Sequence, residues 1–486
     1  MADALPHGPF RRRPRRPRRR GGARPGTNLP LLARARGSAA FARHLRGQAE
    51  FPFRPPAAVL EAQNRRVRRM VAHAYATVPH YREEMDRLGL RPGDLRTAAD
   101  LARLPLVERA QLQRDPERFV STAEPLDRYL RLRSGGSSGA PLTIYHAAAA
   151  VIENAAHGER ERSLATPLIG RRTGYREAEL DGPFSTAYDV RRFLVARTLA
   201  PPGMRIERKF ISLLEPPAQV AAEIEAFRPD VLHGFGSALA LLFAHYEASG
   251  PPAHPPRVVT TSSDPLPDAA RRLIEERFGI PVFATYQAIE AFKIGFTCGQ
   301  GRGYHLNADL YPARIVDAGG RTAPDGEVGE VVVSNLVNRA TVLLNYRLGD
   351  LAAVSADPCP CGRSLPLLSS LEGRSGETVE LPSGRIVHPQ AVRTVFTGEE
   401  RVWQYQVVQR TPGHFAAAVV AAAGADRTEL GARVAAGLVA RLEEGVTVEV
   451  AFVDAIGRTA RGKVLPVIPL PRDRWGDAGA GGAGDG

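Results

Sequence analysis

Apolar residues recur along the chain with two different spacings, and this pattern predicts the order of helices and strands. Spacings of three and four predict helices over residues 57–86, 96–118, 218–228, 236–248 and 267–278. Short apolar runs predict strands over residues 129–133, 142–145, 258–261 and 282–285, and within RPDVLHGFGS. Such alternation of strands and helices predicts an α/β domain with parallel pairing.

The pattern changes towards the C-terminus. Residues 311–354 hold closely spaced strands, typical of an antiparallel sheet or barrel. After Gly373 a hairpin (TVELPSGRIV) precedes a helix, strands at 403–410 and 415–421, a helix at 426–443 and a strand at 446–453. We therefore predict a large domain over 51–375 with parallel and mixed sheets plus a small β-barrel. A small α+β domain over 376–470 and a flexible tail over 471–486 complete the chain.

The charge of the protein is concentrated near its N-terminus. The 486 residues carry a net charge of +13, yet residues 1–54 alone hold 14 arginines and two acids. The run RRRPRRPRRR offers no apolar side chain to bury, so we expect a disordered basic tail over 1–50. The tail could alternatively bind nucleic acid or an anionic surface. The nearly neutral body is not expected to bind nucleic acid.

Composition restricts the class of protein further. Hydrophobic residues make up 43% and charged residues 24%, as in ordinary soluble proteins. No apolar run reaches the ~18 residues of a membrane-spanning helix. We expect a cytoplasmic protein without membrane contact, either a monomer or a homodimer.

Only three of the 65 basic residues are lysines: Lys209, Lys293 and Lys463. Arginine cannot replace lysine where a compact ammonium group must act as a point charge. Each lysine is therefore a candidate functional residue, although the presence of lysine at positions 209 and 293 could also be due to chance.

A loop rich in glycine and serine, RSGGSSGAP at 133–141, follows a predicted strand. Its small residues allow several backbone N–H groups to point at one anion, so the loop is a candidate phosphate site. It is not a Walker loop, because no Gly-Lys-Ser/Thr follows. Such a loop could equally be only flexible.

Five motifs occur in a characteristic order: SGGSSGAP at 134–141, YQAIE at 286–290, YRLGD at 346–350, GRSGE at 373–377 and Gly-Lys at 462–463. This order resembles that of the adenylate-forming superfamily of acyl-CoA synthetases. The segments HAYATVPHYREEMDRLGLRPGDL, RPDVLHGFGSAL, TTSSDPL and QYQVVQ are similar to those of its phenylacetate–CoA ligase-like branch. The resemblance covers residues 57–468.

The resemblance implies that a carboxylate attacks the α-phosphate of ATP, and that the acyl-adenylate then reacts with CoA. Tyr286 would pack on adenine, Asp350 would bind the ribose hydroxyls, Arg374 would act at the ribose and hinge, and Glu290 would bind Mg²⁺. Lys463 would reach the carboxylate and the α-phosphate. The phosphate loop would comprise Ser134, Gly135, Gly136, Ser137, Ser138 and Gly139.

Five positions differ from the family pattern. Ala140 stands where lysine is common, and Gln287 and Ile289 replace the usual glycine and threonine. Ala140 removes one phosphate contact, and Ile289 removes a phosphate-binding hydroxyl group. The changes at Gln287 and Ile289 favour a degenerate relative, whereas the retained Lys463, Asp350 and Glu290 oppose it. Gly376 and Glu377 replace a common Asp-Asp pair, which is a smaller change.

The resemblance also places the wall of an acyl pocket at His233, Gly234, Phe235 and Gly236. The histidine there could be structural or an acid–base group. Lys293 could pair with a substrate carboxylate or with an acidic neighbour. Weaker pocket candidates are Tyr145, His146 and Tyr188.

All three cysteines, together with one histidine, form a candidate metal site: Cys298, His305, Cys359 and Cys361. Three thiolates and an imidazole complete a tetrahedral zinc set and leave no open position, so such a metal would be structural. The alternative is a group of reduced thiols near a surface loop.

The resemblance therefore implies an ATP- and Mg²⁺-dependent ligase. Its substrates would be a small carboxylic acid, aromatic or hydrophobic rather than sugar-like, and CoA. An adenylating synthetase with an amine or phenol-like acceptor is the alternative enzyme. A catalytically degenerate, zinc-stabilised binding protein is the non-enzyme alternative.

Overall fold

The computed structural model describes residues 29–133, 142–182, 186–199, 205–374, 379–387, 389–396, 399–442, 445–459 and 463–470. Within these ranges no helix combines the length and the apolar composition that crossing a bilayer requires.

The N-terminal region is helical. Its helices are α1 (Leu31–Leu45), α2 (Pro56–Thr77), α3 (Pro79–Arg87) and α4 (Arg109–Arg114). The helix predicted over 57–86 is broken because Pro79 starts a new helix and Val78 takes an extended conformation before it. The helix predicted over 96–118 is wrong, since this segment forms short 3₁₀ turns around α4.

Helix α1 lies within the segment that we expected to be a disordered tail. Its residue Gly37 approaches the backbone of Arg197, and a Cβ atom there would lie 2.1 Å from the Arg197 carbonyl oxygen. Arg34 Nη2 donates to the Thr198 carbonyl at 3.0 Å, and Ser38 Oγ donates to the Leu199 carbonyl at 3.0 Å. Residues 29–50 are therefore packed on the body. Contacts with residues 197–199 stabilise this segment, although its own composition is too polar to form a core.

The middle of the chain alternates between strands and helices. These elements are β1 (Leu130–Arg133), β2 (Thr143–His146), α5 (Ala148–His157), α6 (Glu159–Ile169), β3 (Arg176–Asp181), α7 (Thr186–Arg197), β4 (Glu207–Ser212), α8 (Pro217–Phe227), β5 (Val231–Phe235), α9 (Gly236–Ser249), β6 (Val258–Ser262), α10 (Asp268–Arg272) and β7 (Val282–Ala288). The strands pair in parallel in the order β4-β3-β5-β6-β7, as the alternation predicts.

Beyond β7 the same sheet continues with antiparallel pairing. Its further strands are β8 (Phe292–Thr297), β9 (Tyr304–Leu306), β10 (Ala313–Val316), β11 (Gly329–Val333), β12 (Tyr346–Val354) and β13 (Leu367–Arg374). Strands β3 to β13 form one eleven-stranded sheet in the order β10-β11-β12-β13-β9-β8-β7-β6-β5-β3-β4, whereas β1 and β2 pair with each other in a separate two-stranded sheet. The small barrel that we expected is the antiparallel half of this sheet rather than a separate unit.

After β13 a smaller sheet begins. Its elements are β14 (Val379–Glu380), β15 (Ile386–Val387), α11 (Pro389–Phe396), β16 (Val402–Thr411), β17 (His414–Ala421), α12 (Arg427–Arg441), β18 (Thr447–Phe452) and β19 (Val467–Ile468). Four of the strands pair in the order β18-β17-β16-β19. Asp426 caps α12 by accepting from the N–H groups of Thr428 and Glu429. The mixed large sheet and the small α+β unit agree with the predicted fold class.

An apolar interface joins the two sheets. Trp403, Ile456 and Val464 of the small unit are buried in one core with residues of α9 and with Leu266. Gln404 Nε2 donates to the Ser237 carbonyl at 2.5 Å, at the start of α9. The small unit is therefore docked against the end of the parallel strands.

Candidate active site

The carboxyl ends of β5, β6 and β7 meet at one edge of the sheet. Thr261 of β6 pairs with Ala284 of β7, so Asp264 and Tyr286 follow shortly beyond the same level. Phe235 of β5 pairs with Ser262, which brings the turn at Gly236 to this edge as well. The carboxyl ends of parallel strands are the usual position of ligand sites in open α/β sheets.

Gly236 is required by close packing at this edge. A Cβ atom on Gly236 would lie 2.3 Å from the Leu266 nitrogen and 2.4 Å from the Pro265 carbonyl. Any larger residue would separate the start of α9 from the loop after β6. Gly236, which belongs to the predicted pocket wall, therefore allows the start of α9 and the loop after β6 to pack closely.

Tyr286 and Asp350 are in direct contact. The Tyr286 hydroxyl donates to Asp350 Oδ2 at 2.7 Å, and the Tyr286 residue is 5% exposed. Asp350 lies on β12 and pairs through its backbone with Arg374 of β13. The proposed adenine and ribose residues thus come together from strands that are 64 residues apart in the chain.

Glu290 lies just beyond β7, and its carboxylate is buried. The Tyr346 hydroxyl donates to Glu290 Oε1 at 3.4 Å, and Arg109 Nη1 lies 3.6 Å from the same oxygen. Asn335 Nδ2 donates to the Glu290 carbonyl oxygen at 2.8 Å. A magnesium ion bound here would share the carboxylate with Arg109, a residue that the sequence analysis did not single out.

The segment that carries Lys463 is held against the same strand ends. The Thr459 N–H donates to the Lys463 carbonyl at 2.8 Å, and the Lys463 N–H donates to Thr459 Oγ1 at 3.1 Å. The next residue, Val464, donates its N–H to Asp264 Oδ2 at 3.4 Å. The tertiary structure therefore brings the Lys463 segment of the small unit to the loop after β6.

Asp264 also organises the start of α9. It accepts from the Ser237 N–H at 3.2 Å and from Ser237 Oγ at 2.6 Å. Arg458 Nη1 in turn donates to Ser237 Oγ at 2.7 Å. Burial raises the pKa of Asp264, and the hydrogen bonds from Ser237 and the charge of Arg458 oppose that rise. We call Asp264, Ser237 and Arg458 the interdomain triad.

His233 lies within β5 and is held by neighbouring hydroxyl groups. Its Nδ1 lies 2.9 Å from Thr260 Oγ1, and its Nε2 lies 3.3 Å from Ser262 Oγ. These contacts fix the ring, which favours the structural interpretation of this histidine. Gly234 and Phe235 are buried next to it.

Two of the three lysines form ion pairs within the fold. Lys293 pairs with Glu161, and burial lowers the pKa of Lys293 to about 8. Lys209 Nζ lies 3.2 Å from Glu223 Oε2. The acidic neighbour that we considered for Lys293 is thus present, and Lys463 remains the catalytic candidate among the lysines.

The weaker pocket candidates lie in different surroundings. His146 is fully buried and its ring packs 4.3 Å from that of Phe292, and burial lowers the pKa of His146 to about 3. Tyr188 is 48% exposed on α7. Tyr145 accepts a hydrogen bond from Asn338 through its carbonyl oxygen. His146 is therefore a neutral core residue.

Some predicted residues cannot be compared with the structure. The phosphate loop with Ser134, Gly135, Gly136, Ser137, Ser138 and Gly139 lies outside the described residues, as do Ala140, Gly376, Glu377 and Gly462. For Arg374 only the backbone is described. Their assigned roles stay predictions.

The four predicted metal ligands form one cluster. The ligand atoms of Cys298, His305, Cys359 and Cys361 all lie within 4.8 Å of one another. Cys298 Sγ lies 3.6 Å from Cys359 Sγ, and Cys361 Sγ lies 3.3 Å from His305 Nε2. Two sulfurs bound at ~2.3 Å to one tetrahedral ion would lie ~3.8 Å apart, so these separations fit a metal.

The position of the cluster separates it from the strand ends that carry the candidate active site. Strand β7 runs towards Tyr286 and β8 runs back, so Cys298, just after β8, lies near the start of β7. His305 is on β9, and Cys359 and Cys361 are in the connection between β12 and β13. Burial lowers the pKa of His305 to about 4, which keeps its imidazole neutral and able to bind a metal.

The sequence analysis did not single out Arg109, Asp264 or Arg458. Asp264 was part of the motif TTSSDPL, and Arg458 lies five residues before Lys463, so a signal was present in both cases. Arg109 had no such signal, because its partner Glu290 is 181 residues away.

Comparisons with known proteins agree with this geometry. No protein-family model matches the chain. A phenylacetate–coenzyme A ligase of Thermus thermophilus is 25% identical over 370 residues, which is 72% of this chain and 78% of that protein. A 2-hydroxyisobutyryl-CoA ligase in its postadenylation state superposes with a TM-score of 0.69 at 19% identity, covering 88% of this chain and 92% of that one. In the thioesterification state the same ligase gives 0.54 at 19% identity and the same coverage.

Sequence similarity and fold therefore lead to the same group of proteins, and the resemblance of the five motifs is confirmed. The chain is similar in sequence to phenylacetate–coenzyme A ligases and has the fold of the adenylate-forming CoA ligases.

Proposed function

We propose that the protein activates a carboxylic acid with ATP and Mg²⁺ to an acyl-adenylate and then transfers the acyl group to CoA. The contact between the Lys463 segment and the strand ends carries this proposal. The Val464 N–H donates to Asp264, which lies three positions beyond Thr261, the last residue of β6 that pairs with β7. A cation near the reacting carboxylate and phosphate stabilises the charge that develops during attack. The named relative, a phenylacetate–coenzyme A ligase, supports an acid and CoA as the substrates.

The docked position of the small unit supports the interpretation that this structure corresponds to the first half-reaction, adenylation. The postadenylation state of the 2-hydroxyisobutyryl-CoA ligase superposes better than its thioesterification state, although both comparisons cover the same share of the chains. We infer that the small domain moves between the two half-reactions and that the interdomain triad holds it in the first.

In the docked state each residue has a defined task. Asp350 would accept hydrogen bonds from the ribose, and its bond from Tyr286 would orient both groups towards the nucleotide. Glu290 would hold Mg²⁺, which neutralises phosphate charge, while Arg109 and Tyr346 keep the carboxylate in place. Lys463 would bind the substrate carboxylate and the α-phosphate.

We further propose that the Cys298–His305–Cys359–Cys361 cluster binds a structural Zn²⁺. Three cysteines and one histidine within 4.8 Å match the donor set of closed tetrahedral sites. The cluster ties the connection between β12 and β13 to the β8–β9 turn. It lies at the end of β7 opposite to Tyr286, so its metal would stabilise the fold and take no part in the reaction.

The decisive experiment measures pyrophosphate release from ATP across a panel of aromatic and aliphatic carboxylic acids, with and without CoA. An acid-dependent release that yields a thioester only with CoA is the expected result. Release with product formation only from an amine or a phenol would establish the alternative acceptor. No release with any acid would indicate the degenerate relative that Gln287 and Ile289 favour.

A lysine substitution tests the assigned role within the same assay. Lys463→Ala should lower acid-dependent pyrophosphate release by about 10²–10³-fold, the scale for one charge-stabilising contact. Thioester formation from supplied acyl-adenylate should remain. Lys209→Ala is the matched control, because Lys209 is paired with Glu223 on α8. Normal adenylation by Lys463→Ala would remove Lys463 from its role.

A further inference from the structure

A cavity of about 520 Å³ is lined by none of the candidate active-site residues described above. It is bounded by the end of α1, the turn after it, one face of α2, the start of α5 and the loop 336–339. Its volume falls within the range of ~300–1,000 Å³ that is typical of small-molecule sites. We call it the arginine cavity.

The lining of the arginine cavity is strongly basic. Seven arginines contribute to it: Arg46, Arg54, Arg65, Arg66, Arg69, Arg160 and Arg339. The only acids in the lining are Glu153 and Asp309. Five of these arginines belong to residues 55–486, which carry a net charge of only +1, so their concentration around one cavity is a local feature of the structure.

Both acids of the lining are already neutralised. Arg66 Nη2 lies 2.7 Å from Glu153 Oε1, and the fully buried Arg160 forms a double hydrogen bond with Asp309. Arg65 pairs with Glu61, which lies outside the lining. Four arginines remain whose guanidinium groups make no ion pair with an acid among the described residues: Arg46, Arg54, Arg69 and Arg339. Like charges gathered around one cavity repel one another, and a bound anion would offset this repulsion.

The start of α5 adds to the positive potential. Ala149 and Ala150 of its first turn line the cavity, and the preceding Ala147 offers no side-chain cap. The first turn of a ten-residue helix presents backbone N–H groups and the positive end of the helix dipole.

A cation is a poor occupant of this place. His44, Glu153 and His157 have ligand atoms within 4.8 Å of one another and could form a metal site by geometry alone. However, Arg66 already binds Glu153, and the surrounding arginines would repel a metal ion. The charge therefore selects an anion.

We propose that the arginine cavity binds the phosphate groups of a small molecule that carries several negative charges. Guanidinium groups bind phosphate oxygens in pairs and keep their charge at every physiological pH, so several of them favour a multiply charged phosphate over a single carboxylate. The ligand belongs either to the pyrophosphate and 3′-phosphate end of CoA or to free phosphate compounds such as pyrophosphate.

The cavity also has a structural connection to the candidate active site. Val337 lines the cavity, and its N–H donates to Asn335 Oδ1 at 2.9 Å. Asn335 in turn holds the Glu290 backbone through its Nδ2. A phosphate in the cavity would therefore contact the loop that supports the proposed magnesium ligand.

The test uses the full-length protein without acid and without ATP, so its result does not depend on the proposed reaction. Calorimetric titration with CoA and with inorganic pyrophosphate gives the affinities, and hydrogen–deuterium exchange locates the binding. Exchange should slow in peptides covering residues 46–69 and 147–153. Arg69→Gln combined with Arg339→Gln should weaken binding at least tenfold and abolish this protection.

A double variant of equal charge serves as the control. Arg277→Gln with Arg410→Gln removes two exposed arginines that do not line the cavity, and it should bind like the wild type. Protection by CoA alone would identify the coenzyme as the source of the phosphate, whereas protection by pyrophosphate as well would identify free phosphate compounds. Unchanged affinity in the Arg69/Arg339 variant, or no protection at residues 46–69 with either probe, would overturn the proposal.

Discussion

Replacing Asp264 by alanine should separate the two half-reactions of the proposed ligase. Asp264 is the point where the small unit is bonded to the strand ends, through the Val464 N–H, and it lies beside Arg458. Without the carboxylate, the docked state loses that bond and the counter-charge of Arg458. In the undocked state the Val464 N–H and Arg458 would face water rather than Asp264, so removing the carboxylate would cost neither interaction there.

The size of the effect follows from these contacts. A hydrogen bond to a charged group contributes about 1.5–3 kcal/mol net. The Val464 bond is long, at 3.4 Å, and belongs at the weak end of this range. The attraction to Arg458 adds to it, so we expect docking to weaken by about 2 kcal/mol, which is a factor of about 30 in the docking equilibrium.

The assay compares two rates on one protein. Acid-dependent pyrophosphate release by Asp264→Ala should fall by up to about 30-fold, because the Lys463 segment is less often in place. Thioester formation from supplied acyl-adenylate should change by less than about twofold. Asp325→Ala, at an exposed loop position, is the control. Arg458→Ala should reproduce the selective loss, and the double variant should lose less than the sum of the two.

An equal loss in both half-reactions would show that Asp264 acts on the fold or on ATP binding rather than on docking. Unchanged pyrophosphate release would show that the contact with Val464 contributes nothing to the active arrangement. Either result would refute the reasoning.

Three further predictions concern the metal, the N-terminal segment and a buried histidine. Purified protein should contain about one zinc per chain by elemental analysis, and Cys359→Ser should lower both the zinc content and the melting temperature, since structural zinc contributes folding free energy; metal-free protein that melts like the wild type would exclude the site. Deleting residues 1–28 should leave catalytic constants within about twofold, whereas deleting residues 1–50 removes α1 and should lower the melting temperature by several degrees, as should Gly37→Leu in the full chain; a stable, active protein without residues 1–50 would contradict the packing of α1. The folded-state pKa of His146, about 3, lies below its unfolded value, so the unfolded chain takes up the proton first and stability falls as the pH drops below 6.5. Between pH 7 and 5 urea unfolding should show a loss of about 2 kcal/mol from this residue that His146→Phe lacks, and equal losses in both proteins would place His146 in contact with solvent.

The sequence by itself determined the elements whose pattern is local. The strands at residues 231–235, 258–262 and 282–288, and the helices α8, α9 and α12, follow from apolar spacing within a window of about ten residues. The cluster of three cysteines and one histidine could also be predicted, because these residues leave few alternative ligand sets. The order of five motifs led to the family resemblance.

Only the tertiary structure decided which distant residues meet. Helix α1 forms in an arginine-rich segment because it packs against α5 and α7. No local sequence pattern predicts those contacts. Asp264 and Val464 are 200 residues apart, and Arg109 and Glu290 are 181 apart. Side chains so far apart in the chain are brought together by the order of strands in the sheet. The apolar periodicity within a single element does not predict that order.

The arginine cavity illustrates the same limit. In the sequence its arginines are scattered from Arg46 to Arg339 in a chain where arginine is the default basic residue, so none of them stands out. The fold places them around one space and pairs only some of them with acids. Electrostatic potential depends on distances in three dimensions, and for that reason this site exists only in the folded protein.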